Sequence, residues 1–262
     1  VLVEKPISMT PHQGKEIISI AKKNNCLLHV AYQNRYNKAI NFAHDLIKNN
    51  KLGKILTVST RLIWCRFQDY YEDEWHGTWL NDGGVINQQA IHHVDATTYL
   101  VGGVKSLVSY GSNLSNKLQA EDTMTCLLVF SSGALGTIQA TTSARPIDFE
   151  ASILINGEKG FLEIGGIALN KIKEVVIFNR QNKLIKYDKS KYSEKVENGY
   201  GNSHKILIED LIKNVRNRSF DIKIDPKSAL ETTKLIHGIY NSFENKKWIE
   251  MKNKPLSKRL GK

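Results

Sequence analysis

A chain of 262 residues with 41% hydrophobic and 24% charged side chains has a globular composition, and the disordered, collagenous and coiled-coil classes are excluded. Its 37 Lys and Arg against 26 Asp and Glu give a net charge of +11. The basic side chains are scattered, apart from a tail running from Lys252 to Lys262, and no zinc-finger spacing or RNA-binding aromatic motif accompanies them. They read as a lysine-rich solvated surface, so nucleic acid is not an expected partner. No apolar run approaches the roughly 18 residues of a membrane span, and Glu4, Lys5 and Pro6 interrupt any leader-like start, so no membrane partner is expected. The three cysteines Cys26, Cys65 and Cys126 are far apart and form no C-x-x-C. They read as small core residues of a reduced, cytoplasmic protein.

Val1–Val3 is a short apolar strand broken by Glu4-Lys5-Pro6. Thr10, Pro11 and Gln13 form a helix start with a capping box, and Ile17, Ile18 and Ala21 supply its apolar face up to Asn24-Asn25. Cys26–Tyr32 is the next apolar strand, so the opening segment is a βαβ unit with parallel strands and a right-handed crossover. A second helix covers about 39–48 and exits at Leu52-Gly53. The period then changes to two, with Leu56, Val58, Thr60, Leu62 and Trp64 alternating along a half-buried strand.

A loop rich in acids and aromatics spans 67–81, and Gly83-Gly84 opens a single helix over 86–100 that ends at Gly102-Gly103. The middle of the chain is a series of hairpins. Residues 124–130 pair with 134–141, 151–155 pair with 160–164 around Asn156-Gly157, and 175–178 pair with 184–187 around Arg180-Gln181-Asn182. Helices follow at 203–215 and after the Asp225-Pro226 cap. The fold class is an α/β remnant followed by an α+β domain, whose large, mainly antiparallel open sheet carries helices on one face.

Two segments carry chemistry. Glu4-Lys5-Pro6 leaves the carboxyl end of a parallel strand, where α/β ligand sites form. In the run from Gly83 to Asp95, helical spacing places Gln88, His92 and Asp95 on one face, and the diglycine lets backbone approach a ligand closely. Alone, the first also fits a surface turn and the second a capped helix with two solvent histidines.

Taken in order, these residues and several others resemble the Gfo/Idh/MocA family. They are Val3-Glu4-Lys5-Pro6, Tyr32 to Asn37, Lys51 to Ile55, Gly77-Thr78-Trp79 with Asp82-Gly83-Gly84, and the His92–Asp95 segment. Further matches are Glu121-Asp122, Ser132 to Gly136, Asn156 to Gly160 and Ile239 to Ser242, so the resemblance covers nearly the whole chain. It implies a Rossmann domain binding NAD or NADP, a second domain with an open sheet, and oxidation or reduction of a secondary alcohol on a sugar, cyclitol or nucleotide sugar. Residues 1–33 then correspond to the end of the Rossmann domain, and 34–262 to the substrate and oligomerisation domain. The chain starts at Val1 and contains no G-x-G-x-x-G phosphate loop, so the expectation is an N-terminally truncated oxidoreductase. The alternative is an orphan sugar-binding or oligomerisation module without catalytic activity.

The resemblance makes His92 the proton acceptor and Lys5 its electrostatic partner, with Glu4, Lys5, Pro6 and Trp79 near the nicotinamide. Histidine suits the first role because its ordinary pKa lies near 6.5, and a lysine cation suits a developing alkoxide. Many relatives carry an aspartate four residues before the histidine; here Gln88 stands there, able to orient a group by hydrogen bonds but without the charge that would raise the His92 pKa. Arg35, Tyr36, Gln88, His92 and Tyr200 are the expected substrate contacts, with His204 beside Tyr200. No metal site is expected. The sheet face left open by the helices is expected to join a second copy of the chain.

Overall fold

The computed structural model describes residues 1–179, 181 and 183–262. The opening βαβ unit forms: β1 (Leu2–Val3) and β2 (His29–Val30) pair in parallel around α1 (Pro11–Lys23). The capping box is present, with the Gln13 N–H donating to Thr10 Oγ1 at 3.3 Å and the Thr10 N–H to Gln13 Oε1 at 3.2 Å. Both strands are shorter than their apolar runs, because each pairs only with the other and the flanking residues pack without a ladder. A 3₁₀ turn (Gln33–Tyr36) leads into α2 (Lys38–Lys48).

The rest is built on one nine-stranded sheet in the order β10-β9-β8-β7-β3-β6-β5-β4-β11. Its strands are β3 (Ile55–Ile63), β4 (Val104–Ser112), β5 (Thr123–Phe130), β6 (Leu135–Thr141), β7 (Glu150–Gly157), β8 (Gly160–Gly165), β9 (Lys171–Phe178), β10 (Leu184–Ile185) and β11 (Ile249–Glu250). The central β3 runs parallel to β6 and antiparallel to β7, so the sheet is mixed at its centre and antiparallel elsewhere. Two of the foreseen hairpins form, β5–β6 and β7–β8. In the second, Asn156 and Gly157 belong to the strand and Glu158-Lys159 makes the turn, because Gly157 pairs directly with Gly160. In the third pair, β9–β10, the turn residues Arg180 and Asn182 lie outside the described residues.

One sheet face packs on α2, α4 (Ile91–Val101) and α6 (Pro226–Asn245). Val58, Leu62, Cys126, Ile138 and Ile153 point into this core. The other face leaves Leu56, Leu127 and Leu135 exposed. α5 (Ser203–Arg216) lies against the 3₁₀ turn. Of the cysteines only Cys126 is a core residue; Cys26 is exposed and Cys65 partly so, since neither lies on the inner face of the sheet.

The single helix expected over 86–100 is two: α3 (Val85–Gln88) and α4, interrupted at Gln89-Ala90. In an unbroken helix the Gln88 carbonyl serves the N–H four residues on. Here it accepts from Lys5 Nζ at 2.7 Å. The break is therefore the structural mark of a side chain inserted from another element.

Candidate active site

Lys5 leaves the end of β1 and reaches α3, donating to both the backbone oxygen and Oε1 of Gln88, at 2.7 and 2.6 Å. Burial pulls its pKa below the ordinary lysine value, while the negative charges of Asp82 and Glu4 act against that shift. His92, on the first turn of α4, packs edge-on against the Tyr32 ring with centroids 6.0 Å apart. Burial holds the imidazole well below its ordinary pKa, and the nearby Lys5, His93 and His204 add to that depression. His92 is thus neutral at physiological pH. Its Nδ1 is buried without a hydrogen-bond partner. An unpartnered neutral imidazole beside a desolvated ammonium is able to take a proton from a hydroxyl while the cation stabilises the resulting oxyanion.

Asp82 closes the far side of Lys5. It is buried, accepts the Gly77 N–H at 3.1 Å, and is pushed up to about 7 by burial, with the Gly77 bond and Lys5 opposing.

The diglycine does a different job from the one expected of it. A Cβ on Gly84 would lie 2.2 Å from the Glu121 carbonyl oxygen, so the close approach is to protein and not to a ligand. The Gly84 N–H donates to the Tyr240 hydroxyl at 2.8 Å, and that hydroxyl donates to Glu121 Oε1 at 3.2 Å. The same oxygen accepts the Ile86 N–H at 3.1 Å. Glu121 is buried, which pushes its carboxyl up to about 8. This network, from β5's entrance and α6, fixes the start of α3 and hence Gln88.

The helical face expected to unite Gln88, His92 and Asp95 is divided. Asp95 turns away from His92 and takes Arg35 in a bidentate pair, Nε to Oδ2 at 2.8 Å and Nη2 to Oδ1 at 2.6 Å, while Thr232 Oγ1 donates to Oδ1 at 2.8 Å. Arg35 also donates to Ser228 Oγ at 2.8 Å, so the guanidinium faces protein. Tyr36 is equally engaged, its hydroxyl donating to Asp210 Oδ2 at 2.7 Å. Trp79 donates its indole N–H to the Gln119 carbonyl at 2.9 Å and packs edge-on against Tyr240. Glu4 is exposed and Pro6 half-buried. Tyr200 is 74% exposed, 6.5 Å from the His204 ring, and through His204 borders the His92 side of the site.

Among the described residues no group of three His, Cys, Asp or Glu side chains is placed to hold a metal ion. Two surface cavities, of about 480 and 460 Å³, lie elsewhere, one against the first turn of α1 and one beside its last turns. The sequence reading missed Trp64, Tyr70, Gln89 and His93, which line one flank of the α3–α4 break, with Tyr70 against both Gln88 and Gln89. Only the adjacent histidines marked this flank in the sequence.

The chain combines a short βαβ start with a nine-stranded mixed sheet that packs helices on one face. Residues 44–251 match the family model described as the oxidoreductase family, C-terminal alpha/beta domain. The chain belongs to the Gfo/Idh/MocA oxidoreductase family. Its relatives include the uncharacterized oxidoreductase YhhX of Escherichia coli, 30% identical over 168 residues, covering 63% of this chain and 46% of the relative. Another is the myo-inositol 2-dehydrogenase of Thermotoga maritima, 27% identical over 168 residues, covering 61% of this chain and 47% of the relative. The chain thus spans about half the length of the curated relatives it matches. Among solved structures, the WlbA dehydrogenase of Bordetella pertussis, in complex with NADH and UDP-GlcNAcA, superposes with a TM-score of 0.87 at 30% identity, covering 95% of this chain and 72% of that one. A levoglucosan dehydrogenase complex superposes with a TM-score of 0.79 at 19% identity, which shows the shared fold.

Proposed function

We propose that the protein is an NAD(P)-dependent oxidoreductase acting on a secondary alcohol of a sugar or nucleotide sugar. The observation that carries the proposal is the clamp of Lys5 on Gln88 beside the neutral, unpartnered His92. A nicotinamide fits this geometry, since Glu4, Lys5 and Pro6 leave the carboxyl end of β1 and an orphaned imidazole nitrogen is buried beside Lys5. Those residues, with Trp79 at the margin, would border the cofactor. When bound, it accepts the hydride from the carbinol carbon. His92 takes the hydroxyl proton, Lys5 stabilises the developing alkoxide, and Gln88 fixes the ammonium without adding charge. Tyr200 and His204 border the substrate's entry.

In this reading residues 1–33 close a dinucleotide-binding domain and 34–262 form the substrate domain of a cytoplasmic enzyme, and a second copy covers the open sheet face. Arg35 and Tyr36 act as framework beneath the site, because their polar atoms are already engaged.

The test is reduction of NAD or NADP by the native protein across inositol, levoglucosan, UDP-glucose and UDP-GlcNAcA, followed by nicotinamide absorbance. Lys5→Met and His92→Ala should each lower kcat by about 10²–10⁴. Turnover that survives in both variants would sink the assignment.

A further inference from the structure

A surface cavity of about 480 Å³ lies between the first turn of α1, the exit of α4, α6 and the C-terminal tail. Its volume falls in the range of small-molecule sites. The apolar lining comes from Pro11, Val104, Leu235, Met251, Pro255 and Leu256. Thr98 also reaches it, but its hydroxyl is spent within α4, on the carbonyls of Val94 and Asp95 at 3.2 and 3.1 Å. The side chains of the floor therefore offer contact area rather than hydrogen bonds.

The walls are fixed. His237 ties α6 to two of its neighbours: Nδ1 accepts the Ser257 N–H of the tail at 3.1 Å, and Nε2 donates to the Met9 carbonyl, ahead of α1, at 2.9 Å. Asn241 Nδ2 donates to the Leu256 carbonyl at 2.7 Å, and the Lys258 N–H donates to Glu244 Oε2 at 2.8 Å. Met251 seats on Gly238, where a Cβ would lie 2.5 Å from its sulfur. After the 3₁₀ turn Met251–Asn253, Lys254 takes the left-handed conformation (φ 51°) that turns the tail back toward α6.

The rim is cationic. Lys15, Lys252 and Lys254 line the cavity and are exposed. Among the described residues, lysine–carboxylate pairs are made by Lys38, Lys173, Lys189, Lys205 and Lys234, and these three make none. Glu231 also lines the cavity, but Lys234 takes it. Three like charges at the edge of an apolar floor repel one another and attract an anion. A bare inorganic anion meets the rim but buries none of the floor. An uncharged apolar molecule fills the floor but leaves the rim uncompensated. A small anion with an apolar body meets both.

We propose that this cavity binds a small organic anion with an apolar body, a medium-chain carboxylate. Lys5, Gln88 and His92 do not line it, so the proposal stands apart from the sugar-oxidoreductase reading.

The experiment is calorimetric titration of the native protein with octanoate, acetate and octylammonium. Octanoate should bind about tenfold or more tighter than either acetate, which lacks the chain, or octylammonium, which reverses the charge. Lys252→Ala combined with Lys254→Gly removes two cations and suits the left-handed backbone. It should weaken octanoate about tenfold or more and leave Tm unchanged. Leu256→Asp, at a position 54% exposed, puts a like charge on the floor and should abolish octanoate binding. Octanoate no tighter than acetate, octylammonium equal to octanoate, or full affinity in both variants would overturn the site. Flotation with phosphatidylglycerol vesicles separates a free acyl anion from a lipid surface. Capture by vesicles without octanoate binding would overturn the proposal in favour of a membrane.

Discussion

Lys5 donates to two oxygens of one residue, and among the described residues Asp82 and Glu4 supply the negative charge that favours its protonated form. Gln88→Asp would place a carboxylate against this ammonium and near His92, raising the pKa of both. The acid limb of the pH–rate profile should move to higher pH, and an unchanged profile would show that position 88 does not tune His92. A second consequence concerns stability. Glu121 titrates near 8 in the native state, against 4.5 for the free group, so the native protein holds a proton that the unfolded chain releases. Its contribution is complete below pH 4.5 and is lost as pH rises through 8. Asp82, near 7 against 3.8, acts in the same direction. His93, near 4 against 6.5, acts in the opposite one: its contribution is intact above pH 6.5 and declines toward pH 4, by about 3 kcal/mol at most. Glu121→Gln should flatten the alkaline decline in urea-unfolding free energy between pH 4.5 and 8. An unaltered slope would mean that Glu121 is not the proton carrier. At this scale Lys5, Gln88 and His92 were legible in the sequence because they sit in short motifs at strand and helix ends. Glu121, Tyr240 and Trp64 were not assigned to the site, because their part in it arises from contacts between residues far apart in the chain.

The elements show how local signals and tertiary contacts divide the work. The capping box at Thr10 and the Asp225-Pro226 start of α6 are self-contained within one turn, and both form as read. The helix break at Gln89-Ala90 is not self-contained. Nothing in the local sequence forbids a continuous helix there, and Lys5, arriving from β1, takes the Gln88 carbonyl. α4 is then held from its other side by the Arg35–Asp95 pair, which ties it to the 3₁₀ turn after β2. Asp95→Asn would strand a buried guanidinium. It should cost about 3–5 kcal/mol in urea unfolding, far more than an exposed pair. A loss below about 1 kcal/mol would show that Ser228 and the neighbouring rings suffice to hold Arg35. Strand β4 escaped the sequence reading, since its residues mix Lys, Ser and Gly with few apolar ones and its long pairing with β5 supplies what propensity does not.

For the whole molecule, the sheet has one face filled by helices and one bearing exposed Leu56, Leu127 and Leu135 on the central strands β3, β5 and β6. A sheet with apolar side chains on both faces is completed by burying the second. Leu127→Lys combined with Leu135→Lys should lower the sedimentation coefficient to that of a single chain, whereas a wild-type protein that already sediments as one chain would remove the reason for the face. The parallel β3–β6 pair at the centre was not foreseen, because hairpin signals report only neighbours in sequence, whereas β3 joins two hairpins from a distance.

By itself, the sequence determined the family and the order of most helices and strands, and it pointed to the lysine and histidine at the centre of the proposed site. Turn residues, caps and apolar periods act within a few residues, and motif spacing survives without knowledge of the fold. Only the tertiary structure decided that Gly84 makes room for Glu121, that Asp95 pairs with Arg35 rather than serving His92, and that Trp64, Gln89 and His93 share one flank of the α3–α4 break. Those outcomes depend on desolvation and hydrogen-bond satisfaction among residues brought together from distant segments, which no local pattern encodes.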